Sequence, residues 1–159
     1  MSNFLRGLRC FRSFNLPEWN IAVFSFLLYF VWEMEQMPFF QISPDLSCFD
    51  LVKNCSLATL GDVNISLTAF WTVAVMSRSR QWFHQPSRWQ LGVYILVGVV
   101  ITVLFEALAT EVLHLWKYAK IMPIVPFLHT GLSPLLAWLL IPPLIIWFVQ
   151  RQLNSVRQR

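Results

Sequence analysis

Charge is scarce in this sequence. Asp, Glu, Lys and Arg make up only 13% of its 159 residues, about half the share of an average soluble domain. So few charges cannot cover a water-facing surface, which excludes an ordinary soluble domain. The 57% hydrophobic content excludes a disordered chain. Glycine numbers five and cysteine three. No phosphate loop, dinucleotide fingerprint, CxxC pattern or G-x-S-x-G is present, and Ser133 in GLSPL does not supply the last. No internal repeat or low-complexity tract appears. What remains is an apolar, aromatic chain with eight Trp and 14 Phe and a mean hydropathy of +0.56. The net charge of +4 points to cytoplasmic loops of a membrane protein and not to nucleic acid.

Four stretches approach the ~20 apolar residues that a spanning helix needs: 20–40, 57–76, 91–113 and 132–149. They predict an all-α polytopic membrane protein, one domain over 1–159, with four transmembrane helices in an antiparallel bundle. The N-terminal arm (Arg6, Arg9, Arg12), the middle loop (Arg78, Arg80, Arg88) and the tail (Arg151, Arg157, Arg159) hold nine of the 12 cations. Lys53, Lys117 and Lys120 occupy the other two connections. This asymmetry predicts that both termini face the cytoplasm. The first apolar run is too long for a signal peptide, contains Glu33 and Glu35, and lacks a cleavage site, so it reads as a retained helix. Cys10 falls on the cytoplasmic side. Cys48 and Cys55, separated by six residues in the expected outer loop, are a candidate disulfide.

The acids carry the functional signal. Five of the eight lie within or at the edge of the apolar stretches: Glu33, Glu35, Asp62, Glu106 and Glu111. A carboxylate at mid-bilayer is unfavourable by about 2.5–3.5 kcal/mol on insertion scales and usually faces a bundle interior. At 1.5 Å per residue, Glu33 stands roughly 20 Å and Glu106 roughly 24 Å above the inner edge, and Asp62 roughly 8 Å below the outer edge. All three then share one layer in the outer half. Tyr29, Glu33 and Gln36 share a helix face, as do Asp62 and Ser66, and Thr102, Glu106 and Thr110. Glu35 points elsewhere.

Paired carboxylates in a low dielectric can act as acid and base or stabilise a cationic amine or carbocation. Glu33, Glu106 and Asp62 are therefore the candidate catalytic residues. Gln36, Tyr29, Tyr118, His129 and Trp32 are candidate ligand contacts. Glu111 and His114 form a single E-x-x-H pair, a weak metal candidate to which His129 could add a ligand. No cofactor is implied. Pro38 should end the first helix, Pro134 should open the fourth, and Pro142 with Pro143 should interrupt it.

Three motifs occur in order: WEMEQMPFF (Trp32–Phe40), CSLATLGD (Cys55–Asp62) and WKYAKIMPIVPFLHTGLSPLLAW (Trp116–Trp138). Together they resemble a family of small four-helix bacterial inner-membrane proteins to which no activity is attached. The resemblance implies a bacterial inner-membrane location and picks out Glu33, Gln36, Pro38, Asp62, Glu106, Trp116, Tyr118 and Pro134. Ala137 departs from it, standing where that pattern has glutamine. EMEQMPFF is also similar, over one helix, to the acid-plus-QxPFF segment of EXPERA-type proteins, the sterol isomerase and sigma-2 receptor group. That likeness implies sterol-like, amine-bearing ligands; the Glu-to-Gln spacing of three is one short of the pattern.

Three functions compete. The first is an outer-leaflet acidic pocket that binds or transforms a lipid- or isoprenoid-like molecule. The second is an accessory or assembly subunit of a larger membrane complex, or a homo-oligomer. The third is proton- or cation-coupled transport, against which nothing polar continues the path through the inner half of helices one, three and four.

Overall fold

A computed structural model describes residues 16–43 and 45–157, with side chains up to 154. Arg6, Arg9, Cys10, Arg12, Arg159 and the side chain of Arg157 lie outside the described residues. The protein is mostly helical. Four long helices dominate: α1 (Pro17–Gln36), α2 (Cys48–Met76), α3 (Arg88–Ala107) and α4 (Leu132–Arg157). Three of them, α2, α3 with the turn that follows it, and α4, are long and apolar enough to cross a membrane. The shorter α1 carries Glu18, Glu33 and Glu35 within its 20 residues, which dilutes its apolarity.

Local chemistry explains the boundaries. Pro17 stands in the first turn of α1, where its missing N–H is no loss. The helix stops at Gln36, and Met37–Phe39 form a 3₁₀ turn, because Pro38 has no N–H to continue the i→i−4 ladder. Helix α2 begins nine residues earlier than its apolar run predicts. Ser47 and Asp50 form a reciprocal capping box there, satisfying two N–H groups that would otherwise be orphaned. The expected outer loop is therefore largely helix. Ser87 and Gln90 cap α3 in the same way. At its far end α3 opens into a π turn, Leu108–Val112. Helix α4 runs unbroken through Pro142 and Pro143, contrary to the expected interruption. Pro142 is fully buried, between Ile141 and Ile145 in the core, where tertiary packing sustains the helix.

The chain doubles back after each helix. The start of α4 meets the end of α1, where Ser133 bonds Gln36. At the opposite end, Arg80 after α2 forks onto Glu18 at the start of α1 through two 2.7 Å bonds. Gln150 late in α4 donates to the Phe83 carbonyl at 2.8 Å. Neighbouring pairs are α1–α2, α2–α3, α3–α4 and α4–α1, so each helix touches two others around a shared interior. Ile21, Tyr29, Phe70, Val73, Tyr94, Trp138, Ile145 and Val149 fill that interior. The outward faces are also apolar: Val75 is 73% exposed and Leu104 66%. Water does not tolerate such a surface on an ordinary soluble protein, whereas lipid does.

Candidate functional site

The end of the bundle where α1 stops and α4 begins gathers the acids. Glu33 sits near the end of α1 and accepts a 2.6 Å hydrogen bond from Gln36 Nε2. Gln36 is buried, and its carbonyl accepts from Ser133 Oγ at 2.9 Å. Helix α4 thereby holds the amide in the orientation that presents its N–H to Glu33. Cys55 on α2 points its thiol at the Glu33 backbone carbonyl, 3.8 Å away, which fixes α1 against α2 at this level.

Glu106 on α3 is the most buried of the acids, 8% exposed. Its Oε2 accepts the phenol of Tyr118 and the indole N–H of Trp116 at 3.4 Å. Both donors come from the loop after α3, which two devices pin down. Phe40 and Tyr118 form an antiparallel bridge, with Gln41 N to Lys117 O at 2.8 Å and Ala119 N to Phe39 O at 2.9 Å. Further on, a hairpin pairs Ile124–Val125 with Thr130–Gly131, and the Gly131 N–H donates to the Tyr118 oxygen. A Cβ at Gly131 would lie 3.1 Å from the Tyr118 ring and 3.0 Å from Met122, so glycine permits this close approach. Burial, and then donation to Glu106, holds the Tyr118 phenol well above its ordinary pKa. It stays a neutral donor.

Asp62 on α2 has the Trp138 indole N–H of α4 as its polar neighbour. Trp138 reaches it by lying flat over Gly98 of α3, where a side chain would overlap its six-membered ring. The indole also packs at a 37° tilt against Tyr29, centroids 5.0 Å apart. Asp62 lies within electrostatic range of both Glu33 and Glu106, and those two within range of each other. Three carboxylates from three helices therefore sense one another's charge. The hydrogen bonds that Glu33 and Glu106 receive come from neutral donors: an amide, a phenol and an indole.

Glu33, Asp62, Glu106, Gln36, Tyr29 and Tyr118 are thus brought together, and Glu35 is exposed and apart. Trp32 has a buried indole N–H without a partner. His129 is exposed at the tip of the hairpin with φ +51°, away from the acids. Glu111 and His114 are both exposed. The π turn widens the helix, so their three-residue spacing no longer places them on one face, and the His114 ring meets the Thr110 carbonyl instead. No three His, Cys, Asp or Glu side chains converge to hold a metal among the described residues. Cys48 and Cys55 are free thiols. Both belong to α2, seven positions or ~10 Å of helical rise apart, beyond the ~7 Å Cα separation that a disulfide can bridge. Ser133 and Trp138 are site residues that the sequence did not assign: Ser133 was weighed only as a nucleophile, and Trp138 only as the end of the GLSPLLAW motif.

The chain matches no protein-family model, and comparison with curated proteins and with solved structures produced no significant match.

Proposed function

We propose that this is an integral protein of a bacterial inner membrane, its four helices spanning with both termini cytoplasmic. Its acid layer binds a lipid- or isoprenoid-like amphiphile by a cationic or proton-accepting end. The carrying observation is that Glu33, Asp62 and Glu106 lie within electrostatic range of one another and that Glu33 and Glu106 receive their hydrogen bonds from neutral donors. Clustered carboxylates in low dielectric repel one another unless a proton or a cation lies between them. A lone amine of a membrane amphiphile satisfies that demand, and its apolar tail suits the surrounding aromatic wall. Glu33 and Glu106 would act as acid and base on a bound substrate, with Asp62 holding charge.

The test uses a long-chain alkylamine and the matching alcohol, titrated against purified protein in mild detergent. The amine should raise the melting temperature of wild type and leave Glu33→Gln/Glu106→Gln unmoved, with the alcohol inert on both. An equal shift in wild type and variant refutes the reading.

A second reading, an accessory subunit, draws on the outer face of α2. Asn64, Leu67, Thr68, Trp71, Thr72, Val75 and Met76 line a shallow groove of about 610 Å³ there. Its hydroxyls and amide bond carbonyls of their own helix, so a partner helix could approach without stranding a polar group. A monodisperse particle of protomer mass after mild solubilisation would oppose this reading.

A further inference from the structure

Beneath each acid lies a hydroxyl. Tyr29 is four positions before Glu33 on α1, Ser66 four after Asp62 on α2, and Thr102 four before Glu106 on α3. Each is one helical turn, ~6 Å, further into the bundle. Tyr94 of α3 joins them from deeper still, and Ser25 extends the row along α1. All five are buried; Tyr94, Ser66 and Ser25 are fully so, and Tyr29 is 1% exposed. None of their hydroxyl oxygens has a hydrogen-bond partner in the protein. Tyr29 and Tyr94 both approach Ser66, and Tyr29 lies within electrostatic range of Asp62 and of Tyr94.

A dry core does not collect unpaired hydroxyls in this way, because nearly all buried polar groups in folded proteins find a partner. Tyr29, Tyr94 and Ser66 come together from three helices, and such a group of donor–acceptor oxygens is the environment that buried water requires, with two to four polar contacts each. The far end is sealed. Trp82 packs at a tilt against Tyr94 with centroids 5.7 Å apart, donates its indole N–H to the Phe70 carbonyl at 3.3 Å, and packs with Phe70, which also meets Phe83.

We propose that Tyr29, Ser66, Tyr94, Thr102 and Ser25 form a hydration site. It is a closed pocket of ordered water under the carboxylate layer, reached from the acids and stopped by Trp82 and Phe70. This water gives the acids a way to exchange protons inside the bundle. It also supplies the inner-half polar continuation that helices one and three lack when Tyr, Ser and Thr are counted as ordinary membrane residues. The site does not depend on what the acid layer binds.

Infrared spectra of the full chain in lipid nanodiscs, taken in ordinary and in ¹⁸O-labelled water, test this. Wild type should show isotope-sensitive O–H bands of confined water. Tyr29→Phe and Tyr94→Phe should each lose intensity in those bands and melt lower than wild type, since each removes a group that holds water. Absence of the bands in wild type overturns the proposal, and this result needs no variant to fold. So do bands unchanged in both variants, or a higher melting temperature in both, the signature of an unpaired hydroxyl removed from a dry core. A lipid alcohol that co-purifies with wild type by native mass spectrometry, and is lost in both variants, also overturns it by naming a different occupant.

Discussion

Gly98 is where one methyl group should disturb the site without touching an acid. A Cβ there would overlap the Trp138 ring, approaching Cε3 and Cζ3 more closely than Cδ2, itself at 2.6 Å. Trp138 cannot swing away freely: it is 1% exposed, packed at a tilt against Tyr29, and placed beside Asp62. Overpacking of a core by one methyl destabilises by about 1–3 kcal/mol. Displacing the indole also removes its polar contact with the Asp62 carboxyl, about 0.5–1.5 kcal/mol. Replacing helical Gly by Ala recovers about 1 kcal/mol. The expected net loss for Gly98→Ala is therefore about 0.5–3.5 kcal/mol. Gly61 and Gly92 serve as internal controls, since a Cβ at either meets nothing within 4 Å. Gly61→Ala and Gly92→Ala should be neutral or stabilising by up to ~1 kcal/mol. Unfolding of the detergent-solubilised protein, followed by tryptophan fluorescence, separates the three. If Gly98→Ala unfolds together with the two controls, Trp138 is not held against α3, and the account of Asp62 fails with it.

Tyr118→Phe should destabilise the loop after α3 by about 0.5–1.5 kcal/mol, the worth of a typical hydrogen bond; unchanged protease sensitivity of that loop would contradict its anchoring on Glu106. Ser47→Ala removes the capping box of α2 and should lower stability by about 1 kcal/mol, read by thermal denaturation. A maleimide should label Cys48, which is exposed, far faster than buried Cys55, and prior reduction should change neither rate, whereas a reductant-dependent mass shift would restore the disulfide. Partial burial raises the Glu18 carboxyl, but the bonds from Arg80 and its own backbone outweigh it and leave the pKa below the ordinary carboxylate value. The pair should therefore contribute stability above the ordinary carboxylate pKa and lose it as the pH falls through the depressed value; an Arg80→Gln variant whose acid unfolding profile equals wild type would contradict this.

Individual residues show where sequence patterns sufficed. The acid layer was legible because Glu33, Asp62 and Glu106 stand out against apolar helices, and a rise of 1.5 Å per residue converts their positions to depth. Pro38 marked the end of α1 because a residue without an N–H removes a bond from the helical ladder whatever surrounds it. The start of α2 was missed because apolarity, followed alone, begins late, whereas the Ser47–Asp50 box acts before the apolar run. Glu111 and His114 misled because i,i+3 spacing presumes an α-helix, and the chain there forms a π turn.

Composition and periodicity alone determined that this chain is helical, apolar on its outward faces and acidic at one level, since those properties depend on residue type and on spacing along a single helix. The tertiary structure decided the rest. It locked the Gln36 amide onto Ser133, brought Tyr118 and Trp116 to Glu106 and Trp138 to Asp62, and gathered unpaired hydroxyls from three helices beneath the carboxylates. Each of these contacts joins residues on different elements, such as Gln36 and Ser133, 97 positions apart. No local rule encodes such a pairing; it arises only when the four helices share an interior.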